Sequence, residues 1–206
     1  MKIVDIKKEA LNLMFASYEV IDDLDENSNE IGSYVRAMNG SIYRALQRIL
    51  QKGLSPLKRL EAKDIPNEAI LSENPLTIDT TKLDDFYKLE RVIVDYVFYQ
   101  GNADYRYEGR VLTLLGGASK TNATILYYKK TPKANELTDN YDLTDWGLDE
   151  DLQSIIPYFI KSELYREDDL VDARESLNIF NTYLHDRIEE DTNVQTSVRI
   201  RYNDEW

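Results

Sequence analysis

Apolar residues recur at three- and four-residue steps from Asp5 to about Leu24. Ile6, Ala10, Leu13, Met14, Val20 and Ile21 fall on one stripe there, which predicts an amphipathic helix. The polar run D-D-L-D-E-N-S-N-E ends it. Ser28 can cap a second helix, although Ile31 stands where a capping box wants Glu or Gln. That helix runs from about Asn29 to Gln51. It carries Ile31, Tyr34, Val35, Met38, Ile42, Ala45, Leu46 and Ile49 on one face, Arg36, Arg44, Arg48 and Lys52 largely elsewhere, and Gly53 past its end. Residues 54 to 82 hold Pro56, Pro66 and Pro75 and keep no period. They predict an irregular crossing with one short strand at P-L-T-I-D.

The pattern then turns to β-branched and aromatic residues. R-V-I-V-D-Y-V-F-Y (91–99), D-Y-R-Y-E (104–108), G-R-V-L-T-L-L (109–115) and A-T-I-L-Y-Y-K-K (123–130) predict a meander of antiparallel strands, forming a small sandwich or a sheet on helices. A long acidic connection follows Pro132, with no Lys or Arg from Ala134 to Gln153. Two further helical stripes are Leu152, Ile155, Ile156, Phe159, Ile160 and Leu164, and then Leu170, Ala173, Leu177, Phe180, Leu184 and Ile188. Pro157 predicts a kink, or a helix that starts near it. The last stretch alternates Val194, Thr196, Val198, Ile200 and Tyr202, which predicts a strand without a neighbour in sequence. The expected fold is α+β. Residues 1–56 and 146–192 form an antiparallel bundle of two N-terminal and two C-terminal helices; residues 57–145 are an inserted β domain with the acidic linker; residues 193–206 are an extended tail.

Composition narrows the chemistry. With no cysteine and one histidine, His185, the chain excludes disulfides, thiolate nucleophiles and any His- or Cys-built zinc site. A net charge of -13 argues against a surface that grips nucleic acid, because Lys and Arg supply most non-specific affinity, though DNA can slide past without adhering. Asp5, Lys7, Lys8 and Glu9 stand where a signal peptide needs an apolar run, and no stretch approaches membrane-spanning length. The chain is expected to be soluble, with no membrane partner.

The stretch L-G-G-A-S-K-T-N (115–122) invites a phosphate-loop reading and fails it. Ser119 stands where the glycine before Lys120 is required, Leu114 where the first glycine is required, and a strand follows instead of a helix. A strand-to-strand connection is expected. Asp23, Asp25 and Asn27 have the one-three-five spacing of a calcium loop, yet Ser28 and Tyr34 replace its glycine and its bidentate glutamate. Nothing near His185 and Asp186 resembles a nucleophile elbow. Carboxylate pairs such as Asp84 with Asp85 and Asp168 with Asp169 carry little information in so acidic a chain; the second suits the start of the last helix. No cofactor and no metal are expected.

Arg36, Arg44, Arg48, Lys52, Lys58, Arg59 and Lys63 form a basic stretch against only Glu61. It can touch DNA, pair with the acidic connection, or meet an acidic neighbour in an oligomer. Fifteen tyrosines, among them Tyr96, Tyr99, Tyr105, Tyr107, Tyr127 and Tyr128 in the sheet, also fit an interface.

The order of parts, with S-I-Y-R-A-L-Q-R-I-L closing the second helix, Y-E-G-R-V-L-T-L and I-L-Y-Y-K-K-T-P in the sheet and L-Q-S-I-I-P-Y-F-I-K-S-E-L-Y in the third helix, resembles the head-tail adaptor (connector, tail-tubular A-like) proteins of tailed bacteriophages. The resemblance covers nearly the whole chain. It implies a non-enzymatic virion protein at the capsid vertex, assembled as a ring, commonly of twelve copies, beneath the portal protein. DNA would pass through its channel only in transit. It also implies portal binding through the C-terminal segment, with Val194, Val198, Arg199, Ile200, Arg201, Tyr202 and Trp206. The β domain and its loops would face the next tail or nozzle protein, and Arg36, Arg44, Arg48, Lys120, Tyr105 and Tyr107 are candidates for subunit or tail contacts. The acidic linker is longer than the family pattern. The rival expectations are a small cytoplasmic protein-binding or regulatory domain and a carboxylate-metal hydrolase.

Overall fold

The computed structural model describes residues 1–15, 24, 26, 28 and 31–203, with side chains up to residue 190. Two units divide the chain: Met1–Leu54 with Thr131–Trp206, and Ser55–Lys130. The fold is α+β, with helices in the first unit and two antiparallel sheets in the second.

In the helical unit, α1 (Ile3–Met14) and α2 (Gly32–Gln51) follow the stripes read from the sequence; the predicted continuation of α1 over residues 16–23 lies outside the described residues. Ile3, Ile6, Ala10 and Leu11 of α1 and Met38, Ile42, Ala45, Leu46 and Ile49 of α2 are fully buried. Gly53, with φ 79°, terminates α2 in the left-handed region that glycine enters without penalty. After the β unit come α3 (Leu143–Trp146), α4 (Glu150–Ser154), α5 (Ile156–Leu164) and α6 (Leu170–Asn203). Pro157 sits in the first turn of α5, where its missing N–H costs nothing, so the helix starts there instead of kinking. α5 packs against α1, α2 and α6. Phe159 on α5 meets Phe180 on α6 with ring centroids 4.9 Å apart. Lys161, 9% exposed, donates to the Leu13 carbonyl at 2.7 Å and pairs with Asp172 at 2.7 Å, tying α5 to the last turn of α1 and the first of α6.

Two expectations for this unit need correction. The acidic connection belongs with the helices and not with the β unit. Its Leu137, Leu143, Trp146 and Leu148 are buried in the helical core, and its Asp139 and Tyr141 carbonyls accept the otherwise orphaned Val4 and Ile3 amides of α1 at 3.1 and 3.0 Å. The extended tail is also corrected: the backbone is helical through Asn203. Asp169 caps α6 by accepting from the Val171 and Asp172 amides at 3.0 Å, and no Gly or Pro follows to stop it. Val194, Val198 and Tyr202 are also spaced by four, a helical step that the alternating pattern concealed.

In the β unit the two sheets have strand orders β1-β8-β4-β5 and β2-β3-β7-β6. The strands are β1 (Leu57–Glu61), β2 (Ile70–Glu73), β3 (Leu76–Asp79), β4 (Phe86–Val94), β5 (Val97–Tyr99), β6 (Tyr105–Glu108), β7 (Val111–Leu114) and β8 (Ala123–Lys129). Alternate residues of each sheet (Val92 and Val94, Ile125 and Tyr127; Leu76 and Ile78, Leu112 and Leu114) share one core, as the two-residue period of strands requires. The crossing read as irregular thus contributes β1 and β2 as edge strands. The single strand read over 91–99 is instead a hairpin that turns at Asp95 and Tyr96, with φ 48° and 67°.

Asp85 anchors this unit. It accepts from Lys58 Nζ at 2.8 Å and from the Tyr127 hydroxyl at 2.6 Å. Burial pulls the Asp85 carboxyl upward, but the two hydrogen bonds and the Lys58 charge outweigh it and hold its pKa below the usual value. Burial, and then the bond to Asp85, push the Tyr127 phenol up. Since the unfolded chain takes up the Asp85 proton first, this stabilisation is complete above the ordinary aspartate pKa of about 3.9 and is lost as pH falls through the lower native value. Asp85→Asn is expected to flatten the acid limb of stability. Urea midpoints of wild type and variant should converge below about pH 4, and parallel curves would contradict the assignment.

Candidate functional site

The loop at 115–122 satisfies its own polar groups. Gly116 and Gly117 take φ 69° and 86° after β7. The Ser119 amide and hydroxyl both reach Asn122 Oδ1, at 2.7 and 3.0 Å, and Asn122 Nδ2 donates to Asp95 at 2.9 Å. The Tyr99 hydroxyl donates to the Gly116 carbonyl at 3.1 Å, so close that a Cβ on Gly116 would lie 3.2 Å from that oxygen. A β-connection with the Ser119 amide already occupied makes no phosphate cradle. Lys120, a candidate for subunit or tail contacts, pairs with Glu73 at 2.6 Å, where its hydrogen bond and charge hold the glutamate below its usual pKa. Because Glu73 is open to water, Lys120→Ala is expected to leave the thermal midpoint unchanged within error. A drop of several degrees would show that the loop depends on this pair.

The remaining candidate residues separate once placed in space. Tyr105 packs against the β core. Tyr107 is 39% exposed, with its hydroxyl 3.2 Å from that of Thr80. Tyr127 is core, not surface. Tyr96 is the opposite case: it is 96% exposed at the hairpin tip beside exposed Val97 and Phe98, with Arg91 stacked 4.7 Å from the Phe98 ring. Only Asp95 hinted at this turn in the sequence, which lacks the usual Asn-Gly or Asp-Gly.

His185 is exposed and faces Asp186 and Glu189 of its own helix, at 4.0 and 3.6 Å. Asp168 accepts from the Tyr34 hydroxyl, and this hydrogen bond, with burial, raises the phenol to about 12. The calcium-loop residues Asp23, Asp25 and Asn27 lie outside the described residues. So do Trp206 and the side chains of Val194, Val198, Arg199, Ile200, Arg201 and Tyr202. Among the described residues no group of three or more acidic, His or Cys side chains is arranged to hold a metal, and no helix is long and apolar enough to cross a membrane.

The basic stretch does not pair with the acidic connection among the described residues. Arg36 donates to the Glu26 carbonyl, Lys63 pairs with Glu61 at 2.7 Å, and Lys58 binds Asp85. Asp139 and Asp149 of the connection take Lys7 at 2.6 Å and Arg187 at 3.2 Å instead. Arg44 and Arg48 join a different group. They line an open cleft of about 500 Å³ on the helical unit, together with Arg166 and Arg174. Phe159, Ala173 and Leu177 contribute its apolar lining. Arg44 Nε binds both Glu163 carboxylate oxygens, at 3.0 and 2.9 Å. The Arg48 guanidinium lies 5.5 Å from the Phe159 ring centroid. Sequence reading missed Arg166 and Arg174, because folding brings them to the α2 arginines from more than a hundred residues away.

No protein-family model matches the chain, and no curated protein matches it.

Proposed function

We propose that the chain is a non-enzymatic, ring-forming head-tail adaptor of a tailed bacteriophage, joining the portal protein to the tail and extending the DNA conduit. The observation that carries this reading is the order of parts. Helices from both ends of the chain make one unit, and an antiparallel two-sheet unit is inserted between them.

On this proposal α1, α2, α5 and α6 act as an antiparallel bundle at the portal side. The segment from Asn193 to Trp206, whose backbone is helical through Asn203, engages the portal, and the β unit turns its loops toward the next tail component. Tyr96, Val97 and Phe98 supply an apolar tip suited to such a contact. The excess of acidic residues suits a channel wall that repels the DNA phosphates instead of holding them.

The test is co-purification with the portal protein of the same virus. The full chain should co-elute with it, and a chain lacking residues 193–206 should lose that association while still unfolding cooperatively at the wild-type thermal midpoint. Absence of association by the full chain, or equal association by the truncated one, would remove the portal assignment.

A further inference from the structure

The chain has 38 acidic residues against 25 Lys and Arg, yet the cleft formed by α2, α5 and the start of α6 inverts that balance, with four arginines facing one glutamate. That glutamate, Glu163, is already engaged by Arg44. Arg48, Arg166 and Arg174 are exposed and have no carboxylate partner among the described residues. Like charges gathered without a counter-charge repel, and planar guanidinium groups are shaped to receive carboxylates in pairs.

The same unit displays the complement. Along α3, α4 and the turn between them, Asp145, Asp149, Glu150 and Asp151 are exposed, and only Asp149 has a basic partner among the described residues, Arg187. Trp146, Leu148 and Leu152, buried beneath, hold this ridge on the core, so little order has to be gained when it docks.

We infer that cleft and ridge are the two halves of one contact, in which the arginine cleft of one copy receives the Asp145–Asp151 ridge of a second copy. This rests on the ring-forming reading and names the surfaces that would build the ring. Cleft and ridge are different patches, so the contact is heterologous and can propagate from copy to copy until it closes. Nucleic acid is the less favoured occupant, because a strand lying in the cleft would bring its phosphates against a protein of net charge -13.

The test measures the mass of the full chain in solution by sedimentation velocity, with and without the portal protein, at low and high salt. One variant carries Arg166→Glu and Arg174→Glu, a second carries Asp145→Lys and Glu150→Lys, and a third carries all four. Circular dichroism and thermal melting establish that each is folded. Wild type should assemble, more weakly as salt rises. Each two-site variant alone should need about tenfold or more higher concentration. A mixture of the two should assemble in alternation, because each of its contacts again pairs opposite charges, and the four-site variant should assemble again.

Assembly of both two-site variants at the wild-type concentration would overturn the contact and leave the ring reading standing. A wild type that stays monomeric even with portal would overturn both. Unchanged assembly, with loss of binding to a single- or double-stranded oligonucleotide in the Arg166→Glu, Arg174→Glu variant, would overturn the contact and assign the cleft to nucleic acid.

Discussion

Replacing Trp146 with alanine is expected to lower the unfolding free energy of the helical unit by about 3–5 kcal/mol, the usual cost of removing a buried tryptophan. Trp146 is 6% exposed in a segment dense with aspartate, and it packs in the same core as α1, α2 and α5. A free linker would tolerate the change. Urea unfolding followed by far-UV circular dichroism separates the cases: a clear fall in the midpoint agrees with a packed connection, and an unchanged midpoint contradicts it. The result also bears on the proposed docking ridge, since Trp146 is what holds that ridge in place.

Phe180→Ala should cost a similar amount, about 3–5 kcal/mol, through the cavity left against Phe159. Phe180 is fully buried, and its ring is the aromatic partner that fastens α6 to α5. Phe180→Leu fills most of the space and should cost clearly less. If both substitutions cost the same small amount, α6 is not docked as described. Because Ala173 and Leu177 of α6 line the arginine cleft, the alanine variant should also weaken self-association more than its stability loss alone requires.

The helices were legible because their apolar spacing serves one purpose. In α2 every position read onto the stripe from Val35 to Ile49 is buried. The strands were legible as β-rich runs, but their turns were not. The hairpin at Asp95 and Tyr96 places two residues that are not glycine at positive φ, so it lacks the composition that marks such turns. The acidic connection misled because charge hid pattern: Leu137, Leu143, Trp146 and Leu148 are few among many aspartates, and they are the residues that pack. At the tail, a four-residue and a two-residue spacing coincide in Val194, Val198 and Tyr202, and only the absence of Gly and Pro favoured the helix. The cleft was half legible. Arg44 and Arg48 stood out within a basic run, whereas Arg166 and Arg174 sit among acids and reach the cleft only through the fold.

The most direct measurement for the adaptor proposal is electron microscopy of the purified chain mixed with the portal protein of the same virus. The account predicts closed rings of this chain stacked coaxially on the portal, with a central channel. Portal particles without added density, beside a chain that remains monomeric, would contradict it.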